Sequence, residues 1–394
     1  MNNILEGVRV LDFGRYIAGP FCATLLADLG ADVIRIEKTS GGEDRFTVPV
    51  SESGEGAYHL QIARNKRGIT LNPTTDEGRR IVHRLVETAD VVIANLPFPA
   101  LKKLGLDYET LSAIKPDIIL TTGSTFGSTG PYAQRGGFDT IAQAMSGAML
   151  LSGKDGEPAK SFVPYCDFGT ASLSAFGTLA ALIHRNKTGE GQIVEGSLLS
   201  TALAFNNAAL LEEGLSAIGR QGSGTRGQYN APTDTFKTLD GWITVQVVGG
   251  GLFKRWAVLM EESSWLTDPR FGTDQSRGDH GEIVGARMKE WCATRTNQQA
   301  IAELEEAGIP CGPMLTPEKV LEDEHIVATE MFKATPYPGI AQPALIADHP
   351  LRYSKTPVGA FERAPLLSEH TDSILAEIGF SDEEISSFHK EGVV

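Results

Sequence analysis

Asp167 stands in SFVPYCDFGTAS, residues 161–172, between a bulky apolar approach (Phe162, Val163, Pro164, Tyr165) and a run of small residues. A carboxylate so placed can do either of two things. It can cap a helix that begins just after it, accepting an otherwise orphan N–H. Partly desolvated by its neighbours, it can instead attack an acyl carbon as a nucleophile. The residues alone leave both open. Cys166 beside it offers a thiol, but no histidine lies near it in sequence to take a proton, so it reads better as a small buried filler.

The stretch DFGRYIAGP supplies a second chemistry: a strand end, Gly14, Gly19 and Pro20, then a helix start whose first-turn N–H groups favour anions. Its spacing is not GxGxxG, so a dinucleotide fingerprint is absent. Cations recur beside strand ends: Lys38 and Arg45 in RIEKTSGGEDR, Arg64, Lys66 and Arg67 in ARNKRG, Lys102 and Lys103 in LPFPALKKLG. Each alone reads as solvated surface. Together, in a chain of net charge -15, they suggest a polyphosphate ligand held against the global field. Gly249, Gly250 and Gly251 follow a strand and mark a bulge, a turn or a mobile flap.

The acidity argues against a nucleic-acid binder, which would gather Lys and Arg on one face. The start MNNILEGVRVLDF shows no basic-then-apolar leader, and no uncharged stretch of about 18 residues suggests a membrane span, so a cytoplasmic protein is expected. Cys22, Cys166, Cys292 and Cys311 form no CxxC pair and have no histidine at ligand spacing; reduced, mostly buried thiols and no metal are expected.

The elements that must position these residues alternate. VRVLDF, AGPFCATLLADLG (apolar at Phe21, Leu25, Leu26 and Leu29) and ADVIRIEK form a right-handed βαβ unit. The helix TDEGRRIVHRLVETA, with Ile81, Leu85 and Val86 on one face, and the strands DVVIANL and PDIILTTGSTF repeat the pattern. A doubly wound α/β sheet follows, with ligands at the carboxyl ends of its strands. A long helix is expected from about Ser172 to Arg185 and another from about Leu198 to Glu213. The Gly-rich AIGRQGSGTRGQYNAPT marks a domain boundary; beyond it the hairpin DTFKTLDGWITVQVV and helices bearing Trp256, Trp265 and Trp291 suggest a smaller α+β domain. In the tail, Ser381 and Glu384 have capping-box spacing.

Seven segments, in order and over essentially the whole chain, resemble the class III coenzyme A transferases, the family of formyl-CoA transferase and carnitine CoA-transferase. They are GVRVLDFGRYIAGPFCATLLADLGADVIRIEK, RNKRGITLN, DVVIANLPFPALKKLGLDYETL, GFDTIAQAMSG, LAALIHRNKTGEGQIVEGSL, AGIPCGPMLTPEKVLEDEHI and LLSEHT. The resemblance implies a Rossmann-like large domain, residues 1–225 completed by 326–394, a smaller α+β domain inserted at 226–325, and an interlocked homodimer. It implies Asp167 as the catalytic nucleophile, an anhydride and an aspartyl-CoA thioester as intermediates, and coenzyme A or acyl-CoA as substrate with a carboxylic acid as partner.

Position by position, the resemblance assigns CoA contacts to Ile17, Ala18, Lys38, Leu71, Asn95, Leu96, Lys103, Gly136, Gly137, Phe138 and Asp139, with Arg15 either among them or in the acid site. Gly249 to Gly251 fall near the family's glycine loop. Tyr58, His59, Arg226 and Arg15 are candidate groups for the accepting acid, and two cations would suit a small dicarboxylate such as succinate, itaconate or mesaconate, with succinyl-CoA as a candidate donor. GRYIAG departs from formyl-CoA transferase, which has His and Gln in place of Arg15 and Ile17, and this points away from formyl or oxalyl acids. LPFPALKK and the shorter glycine run depart as well. A racemase or isomerase of the same family is the alternative; it would need a histidine near the thioester, and the nearest upstream of Asp167 is His83. A non-catalytic CoA-binding protein would need no such carboxylate.

Overall fold

The structure is a computed structural model that describes residues 3–356, 358 and 361–394. In chain order its first elements are β1 (Arg9–Asp12), α1 (Ala18–Asp28), β2 (Asp32–Glu37), α2 (Ala57–Ile62), β3 (Lys66–Thr70), α3 (Asp76–Thr88) and β4 (Val91–Ala94). There follow α4 (Phe98–Leu104), α5 (Tyr108–Ile114), β5 (Ile119–Ser124), α6 (Asp139–Met145), α7 (Ala148–Ser152), α8 (Tyr165–Thr188), β6 (Gln192–Ser197), α9 (Leu198–Phe205) and α10 (Asn207–Ser216). The chain divides into two compact units, one of Met1–Ser146, Ser161–Leu210 and Ala328–Val394, the other of Gly147–Lys160 and Leu211–Val327.

In the first unit six parallel strands lie in the order β3-β2-β1-β4-β5-β6. Consecutive parallel strands need crossovers, and α1 and α3 supply them, so the βαβ reading of the sequence is borne out. Order reverses between β1 and β4, which opens a crevice at their carboxyl ends. On one side Leu11, Ile34, Ile69, Ile81, Leu85 and Val86 pack with Ile374, Leu375 and Phe388 of the C-terminal segment. On the other, Val10, Leu26, Val33 and Ile119 pack with Ala171, Ala175 and Leu182 of α8. By length and composition α8 could cross a membrane, yet it packs on α1, α9, β5 and β6. Ser381 and Glu384 form the reciprocal capping box.

The second unit contains the expected antiparallel hairpin, β7 (Thr233–Lys237) with β8 (Trp242–Gln246), extended by β9 (Cys311–Pro313). α11 (Gly250–Leu259), α12 (Asp274–Asp279), α13 (Gly281–Cys292) and α14 (Asn297–Glu306) accompany it. Phe236, Ile243, Val245, Trp256, Met288, Trp291 and Leu304 form its core.

Two helices differ from the sequence reading. The helix expected from Leu198 to Glu213 breaks into α9 and α10, and Asn206 at the break donates its side-chain N–H to the Ser146 carbonyl at 2.8 Å. The long helix begins at Tyr165, seven residues before Ser172. Asp167 therefore lies inside its first turn and is not the cap. The N-cap position is Pro164, which has no side-chain acceptor to offer; the acceptor comes from elsewhere in the chain.

Candidate active site

That acceptor is Asp139, the first residue of α6. Its buried carboxylate takes the Cys166 N–H at 2.8 Å and the Asp167 N–H at 3.2 Å through Oδ1, while Oδ2 accepts from Gln143. Gln143 Oε1 in turn accepts the Ser161 N–H at 3.0 Å. A remote aspartate thus satisfies the first-turn donors of α8 and leaves the Asp167 side chain without capping work. Burial, and after it the negative charge of Asp139, push the Asp167 carboxyl up to about 7. Such a group titrates near neutrality, where a carboxylate is both available and poorly solvated. Burial and Asp139 also push the Cys166 thiol up to about 12, so it stays neutral and fills space.

The loop from Gly14 to Gly19 sits at the crevice between β1 and β4. Asn95, directly after β4, accepts the Arg15 N–H at 2.7 Å and donates to the Arg15 carbonyl at 2.9 Å. Gly19 packs so closely on it that a Cβ there would meet Asn95 Oδ1 at 2.5 Å. Tyr16 is forced to φ 58, a region costly for a bulky residue. Its exposed ring meets the exposed ring of Phe138 edge-to-face, with centroids 5.6 Å apart. Phe138 immediately precedes Asp139, so this loop and the Asp139–Asp167 pair belong to one region of the first unit.

The structure treats the remaining sequence-predicted residues unequally. Ile17, Ala18, Leu71 and His59 have buried side chains, so a ligand would meet chiefly their backbone. His59 Nε2 is 3.2 Å from the Pro365 carbonyl, and burial together with the nearby Arg45 lowers its pKa to about 3, so it is neutral. Tyr58 and Leu96 are half-buried. Arg15 Nη1 is buried, has no hydrogen-bond partner among the described residues, and lies 3.7 Å from Asp44 Oδ1. Lys38 pairs with Glu43 at the surface, and Lys102 and Lys103 are exposed on α4. Gly136 is exposed, while a Cβ at Gly137 would strike Thr125. His83 is exposed on α3, 3.5 Å from Glu87. In the second unit Gly249 precedes α11 with φ 82, its N–H held by the Asp274 carboxylate, and Gly250 and Gly251 begin that helix; Arg226 Nη1 reaches the Gly278 carbonyl at 3.5 Å.

The cations of ARNKRG and RIEKTSGGEDR require a correction. Arg45, Arg64 and Lys66 are neither solvated surface nor free to hold phosphate: each is buried and paired, with Glu37, Asp28 and Asp12 respectively. Arg67 is partly exposed but tied to Asp32 and Glu377. Sequence reasoning also passed over Tyr16, Asp12 and Arg35. The available signal for Asp12 and Arg35 was charge within short strands rich in Val, Ile and Leu, since such charges must find buried partners.

A sequence profile of CoA-transferase family III matches residues 5–371. The chain belongs to this family. CoA-transferase family III enzymes act on CoA thioesters, and this chain is a CoA transferase. It is 32% identical to a succinyl-CoA–D-citramalate CoA-transferase of Chloroflexus aurantiacus over 99% of this chain and 98% of that one. It is 34% identical to a succinate–glutarate CoA-transferase of Agrobacterium fabrum, covering 95% of each. It is likewise 34% identical to a succinyl-CoA:mesaconate CoA-transferase of Haloarcula marismortui, over 95% of this chain and 96% of that one. Among solved structures, a CaiB/BaiF family protein from Brucella suis superposes with a TM-score of 0.84 at 33% identity, covering 96% of this chain and all of that one.

Proposed function

We propose that this family III transferase moves CoA from succinyl-CoA to a second small carboxylic acid, a dicarboxylate of the mesaconate or itaconate kind, with Asp167 as nucleophile. The observation that carries the reading is a single carboxylate in the first turn of α8, raised to about 7 by burial and by Asp139 and relieved of capping by that same residue. Relatives whose names join succinyl-CoA to citramalate and mesaconate support the substrate class. Arg15, half-buried in the loop after β1 with its Nη1 3.7 Å from Asp44 Oδ1, is the cation assigned to the acid's distal carboxylate.

In this mechanism an ionised Asp167 oxygen attacks the thioester carbonyl, the C–S bond breaks, and CoA thiolate leaves an aspartyl-succinyl anhydride. The thiolate then attacks the aspartyl carbonyl, expelling succinate and leaving an aspartyl-CoA thioester. The acceptor carboxylate displaces CoA thiolate to form a new anhydride, and the thiolate attacks the acceptor's acyl carbon. The products are the new acyl-CoA and the regenerated Asp167 carboxylate, with no water consumed. Asp139 favours each covalent state, because acylation removes the negative charge that it opposes.

A homodimer also belongs to the proposal. Phe162, Val163, Leu173, Phe176 and Ile183, before and along α8, are exposed apolar residues of the kind a second copy covers. The test is to supply succinyl-CoA with mesaconate, itaconate, citramalate or glutarate and follow the new acyl-CoA, trapping the enzyme with hydroxylamine. Transfer together with hydroxamate at Asp167 is expected. Full activity in Asp167→Ala would overturn the mechanism, and solvent deuterium entering the acyl α-carbon without transfer would assign the chain to the isomerase reaction instead.

A further inference from the structure

The loop that follows β1 is held from beneath by charges that never reach solvent. Lys66 Nζ donates to Asp12 Oδ2 at 2.8 Å and to the Pro20 carbonyl at 2.7 Å. Asp12 Oδ1 accepts the Gly14 N–H at 2.9 Å. Arg35 Nη1 reaches Asp12 Oδ2 at 3.3 Å and the Gly14 carbonyl at 3.2 Å, and its Nη2 pairs with Asp44. One ammonium therefore joins the end of β1 to the first turn of α1, which are the two ends of the loop.

Packing does not demand this arrangement. Apolar side chains of similar volume often replace buried ion groups without loss of stability. What they cannot supply is hydrogen bonding to the Gly14 N–H, the Gly14 carbonyl and the Pro20 carbonyl. Between those fixed points lies Tyr16 at φ 58, a conformation that persists in a bulky residue only where the surrounding structure imposes it.

We propose that Lys66 is a positioning residue for acyl-CoA: through Asp12 and Pro20 it holds the Gly14–Gly19 loop, with Tyr16 against Phe138, in the one geometry that receives the thioester. This rests on the transferase reading above. Lys66 touches neither substrate nor Asp167, so its loss weakens acyl-CoA binding and leaves the covalent chemistry largely intact. The charged groups facing it are Asp12 of β1, Arg35 of β2 and Arg64 ahead of β3; Cys22 of α1 stays a neutral thiol, pushed up to about 12 by burial. Burial lowers the ammonium itself to about 8, so mild alkali discharges it.

The experiment compares Lys66→Met and Lys66→Arg with the wild type, using succinyl-CoA for kinetics and free CoA for calorimetric binding. Lys66→Met loses two buried charge-assisted hydrogen bonds, to Asp12 and to the Pro20 carbonyl, and a loop held by one fewer such bond in the bound state corresponds to at least roughly a tenfold change. Lys66→Met is expected to raise the KM for succinyl-CoA and the Kd for CoA about tenfold, with kcat within about threefold, and Lys66→Arg to restore part of the affinity. A lowered melting temperature with unchanged KM would show a merely structural role and overturn the proposal.

If Lys66→Met yields no folded protein, the wild type and Asp12→Asn decide. The KM for succinyl-CoA, whose sulfur is acylated and cannot titrate, should rise as pH passes through about 8 while kcat holds. Asp12→Asn, which keeps the side chain's shape but weakens its hold on Lys66, should raise that KM likewise, and a folded Asp12→Asn variant with the wild-type KM overturns the idea. Should CoA binding depend on Lys66 while the wild type transfers CoA to none of the acids, the proposed acceptor class fails and the positioning role stands. Transfer with no dependence on Lys66 sustains the transferase reading and removes the positioning role.

Discussion

Replacing Asp167 by Asn should make the folded protein more stable above neutral pH and leave it unchanged in acid. The unfolded chain ionises this carboxyl near 4, while the folded chain, by burial first and Asp139 second, ionises it at about 7. Between those values the native state binds one more proton than the unfolded state, so wild-type stability falls as pH rises through the window. Three pH units at about 1.36 kcal/mol each give an upper limit of about 4 kcal/mol. Solvent still reaches the half-buried carboxylate, and screening brings the expected gain to about 2 kcal/mol. The assay is urea denaturation of wild type and Asp167→Asn at about pH 4 and about pH 8.5, with denaturant slopes compared to confirm that both unfold in the same way. The Asn variant should match the wild type at the lower pH and exceed it at the higher. Equal stability at the higher pH, or a less stable variant there, would refute the desolvated-carboxylate argument and with it the physical basis for the nucleophile.

Asp139→Asn should move the acid limb of transferase activity below about 7, because the charge of Asp139 is the second cause of the raised Asp167 value, and should cost about 1 kcal/mol as α8 loses its charged acceptor; a pH–rate profile and a melting curve read both. Tyr16→Gly should be more stable than Tyr16→Ala by about 1 kcal/mol, since only glycine sits at φ 58 without strain, and equal melting temperatures would contradict the imposed loop geometry. Gly19→Ala should destabilise by roughly 1–3 kcal/mol and raise the KM for succinyl-CoA, because the added methyl meets both Asn95 and the Gly14 backbone. His59, neutral until about pH 3 when folded, takes up a proton below about 6.5 when unfolded, so acid drains stability through that interval; His59→Gln should flatten this part of the stability–pH curve.

The alternation of strands and helices was legible because period and turn chemistry are local properties. Ile81, Leu85 and Val86, read as one helical face, are all fully buried, and the Ser381–Glu384 box forms as its spacing requires. The start of α8 was not legible. Its first-turn donors are satisfied by a residue 27 positions upstream, and no window of local sequence reports a partner at that distance. The cations of ARNKRG misled for a related reason. Charge invites a surface reading, and only the tertiary structure, which sets Arg64 against Asp28, Lys66 against Asp12 and Arg67 against Asp32, reveals their partners. Asp167 itself could be found as a candidate, but its elevated pKa arises from burial and from Asp139, both of which are tertiary facts.

The bond from Asp139 to Cys166, seconded by Gln143 to Ser161, closes the chain on itself around an excursion, Gly147–Lys160, that is grouped with the second unit. The entropy of closing such a loop grows only logarithmically, by about 0.6 kcal/mol for each doubling of its length. Closure alone would let the segment change length, but its tip is held: the Gly153 carbonyl accepts the Gly224 N–H at 2.8 Å, Lys154 bridges Ser223, and a Cβ on Gly222 would strike the Leu150 and Gly153 carbonyls. A lineage could therefore vary the flanks of the excursion without rebuilding the carboxylate pair at its base, whereas Leu150–Lys154 must keep its fit to Gly222–Gly224.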